Sequence, residues 1–158
     1  MRPVLVAALA APALLLPAGA ACARPAIEGL SVAPAAKAAG APTVQARRSR
    51  FGRVLFDRRG FVLYVFTRDP RGRSVCSGAC AKAWPPLIVH GRPTAGRGLR
   101  RGRLGTTRRR DGRRQVTYAG RPLYFYVGDT RPGQISCQDV FEFGGTWLVQ
   151  SPSGAPVR

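Results

Sequence analysis

One histidine, His90, and one methionine, the initiator, are all that the 158 residues contain. A copper or haem site built from His and Met therefore lacks ligands. A Ser-His-Asp or Cys-His centre would have to run through His90, which closes the strand-like run Leu87-Ile88-Val89 and reads as an exposed loop residue. Cys76-Ser-Gly-Ala-Cys80 has neither the two-residue spacing of common zinc knuckles nor the following histidine of a c-type haem site. No Gly-rich loop stands between a strand and a helix as a phosphate cradle requires. The expectation is a chain with no catalytic residues, no metal and no cofactor. Acidic residues are also scarce, with 7 Asp and Glu against 26 Lys and Arg and a formal net charge of +19. Only Lys37 and Lys82 are lysines, so the excess is almost wholly arginine in a chain also rich in Ala, Gly and Pro. That is the mark of a GC-rich coding bias on a solvated surface, and the export signal described next argues against a nucleic-acid partner. Anionic wall polymers or lipid headgroups are the nearer partners for such a charge.

No apolar run reaches the roughly 20 unbroken residues of a membrane span. Val4–Leu16 is apolar but broken by Pro12 and followed by Gly19-Ala20-Ala21-Cys22, the layout of a bacterial export signal. Gly19–Cys22 also reads as an imperfect lipobox, in which Cys22 would be acylated and become the new amino terminus. Residues 1–22 are thus expected to be an export signal and 23–50 an Ala- and Pro-rich tether, too poor in large apolar groups to offset the entropy of ordering it. The folded part is expected over 51–158, as repeat one (51–90), a basic connection (91–114) and repeat two (115–158).

This part is punctuated as a mainly β, small antiparallel domain with one short helix. Arg53–Phe56 and Phe61–Phe66 flank Asp57-Arg58-Arg59-Gly60, a hairpin loop; Leu104–Arg108 and Gln115–Tyr118 flank Asp111-Gly112, the dipeptide of a tight turn. A helix is expected over Ser77–Ala83, ended by Pro85. The connection reads as exposed, with ten arginines between Arg92 and Arg114.

The chain nearly repeats itself after sixty residues: Leu63-Tyr-Val-Phe-Thr-Arg-Asp69 and Leu123-Tyr-Phe-Tyr-Val-Gly-Asp129. Aligning them sets Val54 against Val116, Tyr64 against Tyr124, Phe66 against Tyr126, Asp69 against Asp129 and Cys76 against Cys137. Two copies point to a unit packed on its twin, since an open solenoid needs three or more. Residues two apart share one face of a strand, so Tyr64 with Phe66 and Tyr124 with Tyr126 are core aromatics. Asp69 and Asp129, each before a Pro- and Gly-bearing reversal, are placed to accept backbone N–H bonds and pin the turn. The competing reading brings a Tyr hydroxyl and a carboxylate together on a ligand.

These two segments, with Cys76–Pro86, Leu104–Gly112, Gln115–Tyr124 and Gly144–Val149, resemble bacterial predicted lipoproteins that carry a tandem secreted repeat with a Tyr-x-(Phe/Trp/Tyr)-x-x-Asp signature. The resemblance covers about Arg53–Ser153. It implies an exported, often lipid-anchored envelope protein and no reaction. In an oxidising compartment the domain cysteines Cys76, Cys80 and Cys137 are disulfide candidates. A bridge from Cys137 to Cys76 or Cys80 would staple the halves; local pairing of Cys76 with Cys80 would leave Cys137 over. Three functions are thus open: a non-enzymatic, membrane-anchored envelope domain acting in binding or as an accessory; a polyanion binder through 92–114; and a redox or cofactor-associated protein using the leftover cysteine.

Overall fold

The computed structural model of the protein describes residues 43–96 and 98–158. The expected export signal, Cys22 and most of the expected tether lie outside the described residues. The chain begins as an antiparallel hairpin of β1 (Thr43–Ser49) and β2 (Gly52–Asp57). It continues through β3 (Tyr64–Phe66), α1 (Ala79–Ala83), β4 (Ile88–Val89), β5 (Thr94–Ala95) and a 3-10 turn (Arg101–Arg103). The second hairpin, β6 (Leu104–Arg108) and β7 (Arg114–Tyr118), is followed by β8 (Arg121–Pro122), β9 (Val140–Glu142) and β10 (Gly145–Val149). Both expected hairpin loops and the mainly antiparallel β class are observed; the two-residue pairing of β1 with β5 is parallel.

Four boundaries differ from the sequence reading. Of the strand expected over Phe61–Phe66 only β3 forms, with Val62 making a single bridge to Phe56. β1 lies inside the segment expected to be tether. Thr-Val-Gln-Ala-Arg-Arg-Ser carries one large apolar residue, and its order comes from the ladder to β2 and from Val44, which is fully buried. The helix starts two residues later than expected, at Ala79, and ends before Pro85 as expected. Within the connection, β6 pairs along its whole length with β7 and so belongs to the second repeat.

The repeats are built into one another. β10, from repeat two, pairs with β3 of repeat one, with Trp147 opposite Phe66 and Val149 opposite Tyr64. β4, from repeat one, pairs with β7 of repeat two. Each repeat thus gives a strand near its tryptophan to the other, β4 just after Trp84 and β10 with Trp147 inside it. The backbone bonds obey the same exchange. Leu55 N–H donates to Gln150, Gln150 to Leu63 and Leu63 to Leu55, while Val116 donates to Leu87, Leu87 to Leu123 and Leu123 to Val116. Leu55, not Val54, therefore takes the place of Val116, a one-residue shift from the sequence alignment. Between the two rings Tyr64 and Tyr124 exchange both backbone bonds, N–H to C=O at 2.9 Å each way.

Period-two alternation fills two cores. Val54, Phe56, Tyr64, Phe66, Trp84, Tyr124, Tyr126 and Trp147 form an aromatic cluster, and Leu55, Leu63, Val65, Leu87, Val116, Leu123 and Leu148 an aliphatic one. Both motif segments are thus covered on both faces. Tight reversals at Ala119-Gly120 and Phe143-Gly144 have positive φ at both residues (49° and 76°; 55° and 77°), the twist that two-residue hairpin loops need.

Gly145 leads β10 into the aromatic core, and a Cβ there would stand 2.7 Å from the Phe66 ring. Gly145→Ala is expected to destabilise the fold by about 1–3 kcal/mol, the usual range for overpacking. Gly91→Ala, in open space, should leave the denaturation midpoint unchanged.

Candidate functional site

The signature residues meet at the junction of the repeats. Tyr64 Oη donates to Asp129 Oδ2 at 2.8 Å and Tyr124 Oη to Asp69 Oδ2 at 2.5 Å, so each tyrosine binds the carboxylate of the other repeat. The remaining oxygens pin their own loops as the sequence implied: Asp69 Oδ1 accepts from Val75 N–H at 2.7 Å and Asp129 Oδ1 from Ser136 N–H at 2.9 Å. All four side chains are buried, both tyrosines completely. The two carboxylates are bound to different tyrosines and do not act as a pair.

The rings follow the same rule. Trp84 and Trp147 stack at 4.0 Å between centroids and 4° between planes. Phe66 of repeat one lies on Trp147 of repeat two at 4.3 Å, and Tyr126 of repeat two on Trp84 of repeat one at 4.6 Å. Tyr64 and Tyr124 instead stand at right angles to the indole of their own repeat, Trp84 and Trp147, at 5.2 and 5.1 Å. Glu142 holds both indoles, its carboxylate accepting from Trp84 Nε1 at 2.8 Å and its carbonyl from Trp147 Nε1 at 3.2 Å.

Around this centre the two halves diverge. Ser74 Oγ lies 2.7 Å from Tyr124 Oη and accepts from Arg109 Nη1 at 2.7 Å. Arg109 Nη1 also donates to Gln115 Oε1, and Nη2 to the Cys76 carbonyl, both at 2.7 Å. Gln115 Nε2 closes the network on the Leu123 carbonyl at 2.8 Å. At the other end Ile135 stands beside the loop of Asp129, and Arg50 Nη2 donates to its carbonyl at 2.7 Å. Arg50 and Arg109 thus do one job: each leaves the hairpin of one repeat to hold the loop after the aspartate of the other. Arg109, Gln115 and Ser74 were not singled out in the sequence. Buried Gln115 sits in a β-alternating run, a weak signal, while Arg109 is one of ten arginines in its segment and carries none.

Cys76 and Cys80 are bridged to one another, with Cα atoms 5.3 Å apart. Of the pairings left open by the sequence, the local one is therefore observed, and the bridge from Cys137 to either of them is not. The four-residue separation closes a small loop into α1, where little chain entropy is removed. Cys137, 1 % exposed, holds no free thiol. His90 is exposed beyond β4. Among the described residues no three His, Cys, Asp or Glu side chains converge.

Burial sets the titration of this site. It raises Asp69 and Asp129 above the ordinary carboxylate range, outweighing the hydrogen bonds that favour the charged form. It also raises Tyr64 and Tyr124 well above an ordinary phenol, helped by the facing carboxylates. Exposed Asp111 moves the other way, to about 2, through its hydrogen bonds from Arg113.

For a group raised on folding, stability is fullest below its unfolded pKa and fades as pH rises through the folded value. Asp69 and Asp129 should therefore give a denaturation midpoint that falls from about pH 4 upward, a slope that Asp69→Asn with Asp129→Asn flattens; the usual unfolded Asp value is about 3.9. Tyr64 and Tyr124 should add a second loss above about pH 10. The exchange itself is read by double-mutant cycles on denaturation free energy. Tyr64→Phe with Asp129→Asn should couple by about 0.5–3 kcal/mol, and Tyr64→Phe with Asp69→Asn by much less; coupling within one repeat would contradict the geometry.

Two matches to one family model, described as a secreted repeat of unknown function, cover residues 47–88 and 105–150, more than half of the chain. The first match starts inside β1 and the second inside β6, so each copy opens on a hairpin and runs past its tryptophan. No curated protein and no solved structure matches the chain. With both copies of the signature in place and locked to one another, the chain belongs to the family of secreted repeats of unknown function.

Proposed function

We propose that this exported protein is a non-enzymatic domain of the cell envelope, acting in binding or as an accessory. One observation carries the non-enzymatic part. Every polar side-chain atom that the signature fixes is taken up inside the protein: the hydroxyls by the opposite carboxylates, the carboxylates by those hydroxyls and by loop amides. A reaction centre needs a group that faces substrate, and these four face each other. The signature then serves the architecture, and the working surface lies elsewhere.

A polyanion surface along 92–114 draws less support than its composition promised, because Arg103, Arg109, Arg113 and Arg114 bond within the chain. The redox reading has no free thiol to work with at Cys76, Cys80 or Cys137.

Tyr64→Phe, introduced at the native locus, should lower the protein's abundance in the envelope in step with its loss of stability, leaving no defect once abundance is matched. A defect at normal abundance would make the signature a reaction centre. An acylated Cys22 draws less support than the lipobox-like Gly19–Cys22 promised: Cys137 holds no free thiol while Cys76 and Cys80 hold each other, so within the chain only Cys22 remains to pair it, and one sulfur cannot carry both a disulfide and a thioether. Intact mass of the protein recovered from its native envelope tests this: an unacylated chain is expected, and a diacylated chain beginning at Cys22 would overturn it.

A further inference from the structure

The exchanged hairpins leave a cleft beside each loop after the aspartate. The larger, of about 610 Å³, lies between the β1–β2 turn and loop 131–136; Arg48, Arg50 and Arg131 line it, and no carboxylate does. The smaller, of about 330 Å³, lies between the β6–β7 turn and loop 74–78, lined by Lys82, Arg109, Arg110 and Arg113 together with Asp111. The second cleft carries its own anion. Asp111 Oδ2 is 2.6 Å from Arg113 Nη2 and 3.6 Å from Arg109 Nε, which finds no hydrogen bond among the described residues. The corresponding turn of the first hairpin reads Ser49-Arg50-Phe51-Gly52 and offers no acid.

Arg50 is already fixed for such a role. One nitrogen is held on the Ile135 carbonyl at 2.7 Å, and its guanidinium lies 4.8 Å from the centre of the Phe51 ring. A planar fork held at two points binds an oxyanion with little further ordering. Arg48 and Arg131 enter no ion pair among the described residues. Three guanidinium groups in a concave site exceed what one carboxylate would balance and match a phosphate group, whose oxygens guanidinium forks grip in pairs.

We propose that the cleft of Arg48, Arg50 and Arg131 binds a phosphate group of the cell envelope, filling from outside the place that Asp111 fills from within at the other repeat. The site is a property of the folded chain. It depends on the envelope reading for the source of the phosphate, and can fail or stand independently of any acyl group at Cys22.

The test uses the purified chain at physiological salt, titrated with inorganic pyrophosphate by calorimetry. Arg48→Gln with Arg131→Gln removes two exposed side chains from the cleft; Arg100→Gln with Arg101→Gln makes the same charge change on the connection. The first pair should weaken binding about tenfold or more, since each 1.4 kcal/mol is a factor of ten, while the second changes it less than about twofold. Equal losses in both variants, or no binding by the unaltered chain, would overturn the proposal. Phosphatidylcholine vesicles doped with phosphatidylglycerol, and soluble poly(glycerol phosphate), then separate the sources. Retention on either that is lost in Arg48→Gln with Arg131→Gln supports the site, and retention on neither counts against it.

Discussion

A buried carboxylate is tolerable only where both of its oxygens find donors, and here one of the two donors is always in the other repeat. Asp69 has Val75 N–H from its own loop and Tyr124 from across the junction; Asp129 has Ser136 N–H and Tyr64. Neither half can bury its aspartate alone. The exchange of β4 and β10, and the seating of Phe66 and Tyr126 on the opposite indoles, repeat this dependence in backbone and aromatic form. Reciprocity also limits the number of copies. Once two units have satisfied each other, no unsatisfied signature residue is left for a third, so the arrangement closes as a pair instead of growing as a solenoid.

Symmetry at the centre leaves the periphery free to differ. The bonds through Tyr64 and Tyr124 are equivalent, yet the polar network of Ser74, Arg109 and Gln115 beside one of them has the apolar Ile135 at the other end. The two hairpin turns diverge in the same way, one carrying Asp111 and the other no acid. The two halves therefore differ at their turns and loops, while the signature holds those loops in place.

Much of this was legible in the sequence because it rests on local rules. Asp111-Gly112 marks a turn wherever it stands between β-rich runs, alternating apolar residues report buried strands, and a tyrosine two residues from another aromatic shares its face. The short helix before Pro85 follows from backbone sterics. What stayed hidden is which residue answers which. A tyrosine bonded to its own repeat's aspartate and one bonded to its twin's come from identical sequences, and only the crossing of β4 and β10 decides between them. Strand β1 was lost to the tether because its order is borrowed from β2. Arg109 was lost among chemically identical neighbours that differ only in burial, and the Cys76–Cys80 bridge was one of several pairings that spacing allowed.

The central claim is that the two repeats form one cooperative unit because each completes the other's buried site. Native-state hydrogen exchange at the amides of Tyr64, Tyr124, Val75 and Ser136 tests it most directly, since these protons sit on both sides of the junction. The account predicts a single opening free energy for all four, equal to that of global unfolding and equally sensitive to denaturant. Exchange from Tyr124 and Ser136 through a smaller opening that leaves Tyr64 and Val75 protected would mean that one repeat stands without the other, and would contradict it.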